Sequence, residues 1–137
     1  MDLEVFTEAW VARCADAIRN SASYRQSAST WEVDLVFVMK RKPPATHRAV
    51  YFDLWHGECR GARLATEADC ASARYVIEGS EDTWDQALNG RLAPLLAVMT
   101  GRLRLTQGNL ADLAPYALAA RDLLAAFSGL GMESRES

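Results

Sequence analysis

Residues 84–109 read WDQALNGRLAPLLAVMTGRLRLTQGN, and they fix the second half of the fold. Two short helix-like runs end at Gly90 and Gly101, after which Leu103 and Leu105 alternate with Arg102 and Arg104. Glycine takes the left-handed conformation that ends a helix without a Cβ clash. The alternation after Gly101 is a strand signature. Upstream, Ser80 suits an N-cap, and Glu81 and Asp82 suit the positive end of the helix dipole. Trp84 and Leu88, at i and i+4, meet on one side of the first helix. Pro94 fits the first turn of the second, which spans Leu92 to Thr100. A pair of short apolar helices is therefore coupled by a tight turn to a half-buried strand, Arg102 to Thr106.

Working outward, Trp31 to Lys40 places Trp31, Val33, Leu35, Phe37 and Met39 on one face of a strand, with Glu32 and Asp34 beginning the other. Val36 and Val38 on that other face imply partial cover there. Pro43-Pro44 ends this strand, because proline cannot donate to the ladder. His47 to Trp55 forms a second strand, with Val50, Phe52 and Leu54 on one face. His56-Gly57 forms a tight turn and Glu58 to Leu64 its hairpin partner. Thr66 to Cys70 reads as a loop or bulge, and Ala73 to Gly79 as a fourth strand with Tyr75 and Ile77 buried.

At the N-terminal end, Phe6, Trp10, Cys14, Ala17 and Ile18 make one face of a helix from about Leu3 to Asn20, and a short helix is expected around Tyr24. After the turn at Gly108-Asn109, the last helix begins near Pro115. Its stripe is Leu113, Ala117, Ala120, Leu124 and Phe127, and Gly129 and Gly131 stop it. The order predicts an α+β fold, a five-stranded, largely antiparallel sheet covered on one face by helices. A single domain is expected over residues 1–132, with a disordered tail at 133–137.

The 137 residues suit one domain, and half of them are hydrophobic, enough for one core. A net charge of −3 and a pI near 5.4 argue against broad nucleic-acid binding. Cys14, Cys59 and Cys70 form no CxxC pair, so neither a disulfide framework nor a cysteine-rich zinc site is expected. No secretory leader and no run long enough to span a bilayer is visible, and a cytoplasmic location fits.

Three constellations have residue types that could carry chemistry. His47 and His56 lie near opposite ends of one strand, too far apart to share a metal there, and read as a surface and a turn histidine. His56 and Cys59, with Asp53 or Glu58 as a third group, have the residue types of a nucleophilic pair for a small hydrolase or transferase, but hairpin cysteines are commonly inert thiols. Arg102 and Arg104 share a strand face that could hold a carboxylate or phosphate, against the plainer reading of a solvated face. No phosphate loop, metal motif or cofactor motif is present.

The joint pattern of Trp84, Leu88, Gly90, Leu92, Pro94, Met99, Gly101, Arg102, Leu103, Leu105 and Gly108 resembles the helix–helix–strand signature of the sterol carrier protein type-2 family. Tyr51 to Gly57, Trp10 and the Trp31 strand resemble its bacterial stand-alone members. The likeness runs from about Phe6 to Phe127. It implies a sheet and helices enclosing an apolar cavity that holds sterols, fatty acids, acyl thioesters or phospholipids without catalysis or cofactor. The partners implied are a hydrophobic or lipid ligand and transient membrane contact. With a cavity between sheet and helices, its expected lining is Phe37, Met39, Phe52, Leu54, Trp84, Leu96, Met99, Leu103, Leu105, Leu124 and Phe127, with Met99 the adaptable member. The alternative is that these side chains fill a solid core and that the chain is an interaction module, forming a homodimer or docking to a partner enzyme.

Overall fold

Strand β1 (Glu32–Lys40) is the spine of the molecule. In the computed structural model, which describes residues 4–44, 46–128 and 130, it lies in the middle of a five-stranded sheet of order β3-β2-β1-β4-β5. The others are β2 (Arg48–Trp55), β3 (Glu58–Leu64), β4 (Tyr75–Ser80) and β5 (Arg104–Gln107). Only β1 and β4 run parallel. A central strand is covered on both faces, and β1 shows it: Leu35, Phe37 and Met39 are buried on one side and Val36 on the other. In register, Leu35 stands between Phe52 and Tyr75, and Phe37 between Val50 and Ile77. These pairs set the first face of the sheet as the floor of the main core.

Helix α1 (Glu8–Arg19), capped by Thr7, buries Trp10, Val11, Cys14, Ala15 and Ile18. Helix α2 (Ala22–Ser27), capped by Ser21, buries Tyr24. The sequence places Phe6 on the face of the first helix; the structure places it ahead of the helix, with φ 61°. That uncommon left-handed backbone turns the ring inward, where it is fully buried.

Helix α3 (Glu67–Ser72), capped by Thr66, follows β3. Ser80 caps α4 (Glu81–Leu88), accepting from the Thr83 amide at 3.1 Å. Then follow α5 (Pro94–Met99), α6 (Leu110–Leu113), a 3-10 turn at Ala114–Tyr116, and α7 (Ala117–Phe127). All but α3 pack on the first face of the sheet. Helix α7 buries Ala119, Leu123, Leu124 and Phe127. The stop expected at Gly129 and Gly131, and the tail at 133–137, lie outside the described residues.

The segment read as a loop or bulge at Thr66–Cys70 is instead the start of α3. Its sequence EADCAS has no apolar stripe, so periodicity could not reveal it. Its nucleus is a capping box: the Thr66 hydroxyl accepts from the Asp69 amide at 3.2 Å, and the Asp69 carboxylate accepts from the Thr66 amide at 2.8 Å. Here Val36, Ala73 and Val76 are sealed by Val38, Ala49, Tyr51, Ala65 and Cys70 on the second face. Arg63 donates to Asp69 through both terminal guanidinium nitrogens and lies 4.4 Å over the Tyr51 ring. The Arg63 hydrogen bond, helped by the Thr66 amide, holds the Asp69 carboxyl down to about 2.

A carboxyl with a lowered folded pKa releases its proton more readily in the folded state. Its stabilisation is complete above its ordinary value of 3.8 and is lost as the pH falls through about 2. Asp69→Ala is therefore expected to lower stability by about 1 kcal/mol at neutral pH. The gap to wild type should narrow below 3.8 and be largely gone near 2, as followed by denaturant unfolding across that range.

Candidate ligand crevice

The interior beneath the helices has two unlike halves. On one side six rings form a closed circuit. Phe6 stacks on Trp10 at 5.1 Å, Trp10 meets Phe127 at 5.7 Å, and Phe127 stacks on Phe52 at 5.3 Å. Phe52 meets Phe37 at 5.6 Å, Phe37 meets Trp84 at 4.8 Å, and Trp84 returns to Phe6 at 5.4 Å. These separations favour offset and tilted aromatic packing, and this half of the core is filled by its own rings.

On the other side a crevice opens between the sheet and helices α5, α6 and α7. Its floor is Trp31, Leu35, Phe37 and Ile77; its walls are Trp84, Pro94, Leu95, Val98, Leu103, Leu113, Ala120, Leu123 and Leu124. Gly79 makes room for one wall, since a Cβ there would stand 2.5 Å from Leu103 Cδ2. Every lining residue is apolar. Their side chains carry two polar atoms, the indole nitrogens of Trp31 and Trp84, and the Trp84 nitrogen already donates to the Val38 carbonyl at 2.8 Å. The enclosed space is only about 20 Å³, far below the several hundred Å³ typical of a site for a small organic ligand.

Of the residues expected to line a cavity, Phe37, Trp84, Leu103 and Leu124 border this crevice. Phe52 and Phe127 are stacked in the aromatic half. Met39 and Leu54 are buried in the packed core, and Leu105 is half-buried on β5, pairing with Ile77. Leu96 and Met99 need correction. They are 53% and 65% exposed, because α5 turns Ala97 inward and puts Pro94, Leu95 and Val98 on the crevice side. Helical geometry then sends Leu96 and Met99 outward. Trp31 and Leu35 are legible as crevice residues, since they share the alternating face of Phe37. Leu95 and Val98 carry an i, i+3 signal that the surrounding apolar residues hide.

The chemical constellations are not assembled. His56 Nε2 sits 2.6 Å from Glu32 Oε2, and its ring stacks on Trp55. The buried Cys59 thiol donates to the Gly61 carbonyl at 3.4 Å, and burial pushes its pKa up, opposite to a reactive thiolate. His47 Nδ1 accepts from the Arg41 amide at 3.0 Å. Arg102 donates to Gln86 at 2.8 Å and Arg104 is exposed. Among the described residues no three His, Cys, Asp or Glu side chains converge as a metal site, and no helix is long and apolar enough to cross a membrane.

This architecture recurs in solved structures. A crystal structure of sterol carrier protein 2 is 42% identical, covering 92% of this chain and 98% of its own, with a TM-score of 0.83. The solution structure of a conserved hypothetical protein from Thermus thermophilus, described as possibly a sterol carrier protein, is 43% identical over 93% of this chain and 90% of its own, also at 0.83. The apo sterol carrier protein 2 of Yarrowia lipolytica shares the fold, with a TM-score of 0.60 at 19% identity over 87% of this chain and 89% of its own. No protein-family model and no curated sequence matches the chain. A helix-covered mixed sheet with an apolar crevice defines the class as sterol-carrier-like. At this identity over nearly its whole length, the chain belongs to the sterol carrier protein 2 family.

Trp84 joins the two halves of the interior, so its indole is a test of both. Trp84→Phe keeps a ring but removes the indole hydrogen bond to the Val38 carbonyl and part of the buried aromatic surface. Stability is expected to fall by about 2 kcal/mol, read by urea unfolding, with the fold retained.

Proposed function

We propose that this protein binds, and passes on, a hydrophobic ligand such as a fatty acid, acyl thioester, phospholipid or sterol-like molecule, without chemistry. The observation that carries the reading is a crevice walled only by apolar side chains in a protein of the sterol carrier family. Nothing polar faces inward to orient a head group, so the apolar part of the ligand enters and the polar part stays at the mouth. In the closed form the crevice of about 20 Å³ holds no chain. Ligand entry therefore requires α5 to move off α7. Helix α5 is suited to that: of its six residues only Ala97 is buried.

The narrowness of the crevice favours a second reading, a solid-core module that dimerises or docks to a partner enzyme. One experiment separates the two. A fluorescent fatty acid titrated into the purified protein should bind saturably, and a Val98→Trp variant should weaken it by about tenfold or more by filling the crevice. Met99→Trp, on the outer side of the same helix, should leave the affinity unchanged. Absence of binding across fatty acid, acyl thioester, phospholipid and sterol probes, with a concentration-dependent dimer in sedimentation, would favour the solid-core module.

A further inference from the structure

The outer side of α5 has properties that a buried ligand does not explain. Leu96 and Met99 are among the most exposed large apolar side chains of the molecule, on the helix whose other side forms the crevice wall. The surrounding sequence is charged in one sense only. Between Asp85 and Asp112 the chain carries Arg91, Arg102 and Arg104 and no acid, although the whole protein has a net charge of −3. The acids of α4 all precede Gln86. All three arginines are exposed, and among the described residues none is in an ion pair. Arg102 reaches only the neutral Gln86 amide. Arg91 and Arg102 stand just before and just after α5, so two cations bracket two exposed apolar side chains.

We propose that α5 and its bracketing arginines form a docking face for an anionic lipid surface, from which the ligand crevice is loaded. Apolar side chains enter the acyl boundary while basic residues meet the negative head groups, the division of labour of interfacial helices. The part played in loading rests on the lipid-binding reading above; the docking face does not. Insertion of Leu96 and Met99 would draw on the same short helix that must leave α7 to open the crevice. Surface attachment and ligand entry then become one movement.

The test is co-sedimentation of the purified protein with phosphatidylcholine vesicles, with and without phosphatidylserine. Wild type should bind the phosphatidylserine vesicles, bind pure phosphatidylcholine much more weakly, and be released by salt. The Arg91→Glu/Arg102→Glu variant should bind at least about twenty-fold more weakly, at about fivefold for each basic residue. Leu96→Asp/Met99→Asp should lose vesicle binding while keeping solution affinity for the fluorescent fatty acid. Leu64→Asp, an exposed residue on the edge strand β3, should change nothing, and circular dichroism verifies the folding of each variant. Wild type that ignores anionic vesicles, or α5 variants that bind them as well as wild type, overturns the docking face. So does a wild-type dimer, split by the Leu96/Met99 variant, that binds no vesicles, since a second copy then covers the face. Vesicle binding without fatty-acid binding would leave the docking face standing and remove the carrier reading.

Discussion

The circuit of six aromatic rings is the constraint on which the rest of the structure depends. It joins the segment before α1, α1 itself, the end of α7, β2, β1 and α4 through ring contacts of 4.8 to 5.7 Å. Each ring is held by two others, so none can move alone. Close-packed aromatic surface of this kind is stiff, and it supplies the strongest packing in a small core. The left-handed backbone at Phe6 is an example of its influence. An unfavourable φ is tolerated there because the ring it places closes the circuit against both Trp10 and Trp84.

The circuit also decides where a void can exist. With Phe52 and Phe127 stacked on one another, the space above β2 is occupied. Among the described residues, room remains above the parallel β1–β4 pair, where cover comes from short elements. Helices α5 and α6 are six and four residues long, and such helices do not hold themselves together in isolation. They stay in place by side-chain contact with α7 and the sheet. Phe37 and Trp84 belong to both halves, so the crevice has one rigid wall and one soft wall. A soft wall on a rigid floor lets the interior change volume without loss of the sheet.

Where one face is buried and the other wet, the sequence states the fold directly. The alternation that opens β1 from Glu32 to Leu35, the Ser80 cap and the helix–turn–strand passage after Trp84 are cases of this kind. Legibility fails where local pattern is uniform. Residues 92–99 are almost all apolar, so periodicity cannot say which side of α5 faces inward, and the sequence reading puts Leu96 and Met99 on the wrong side. Helix α3 fails for the opposite reason. Its six residues have no apolar stripe, and its signal is the Thr66–Asp69 spacing of a capping box, reinforced by an Arg63 that only the folded hairpin brings near. The cavity lining is half legible. Sequence can say that Phe52 and Phe127 are buried, but whether two buried rings face a void or each other is set by the tertiary arrangement.

The same geometry bounds what affinity such a crevice can have. Lifting α5 exposes Ala97 and the half-buried Leu95 and Val98, a cost of a few kcal/mol at ~25 cal/mol per Å² of apolar surface. An acyl chain with about ten buried methylenes contributes about 8 kcal/mol in return, before the entropy of association. The difference leaves moderate affinity at best, and it grows with chain length, since each further methylene adds about 0.8 kcal/mol while the cost of opening stays fixed. Selectivity should accordingly follow apolar length and bulk. Head-group chemistry has little hold, because the lining residues are all apolar or aromatic and the Trp84 indole is already bonded to Val38. A site built this way discriminates by how much apolar surface it covers, which suits a carrier that must also release what it holds.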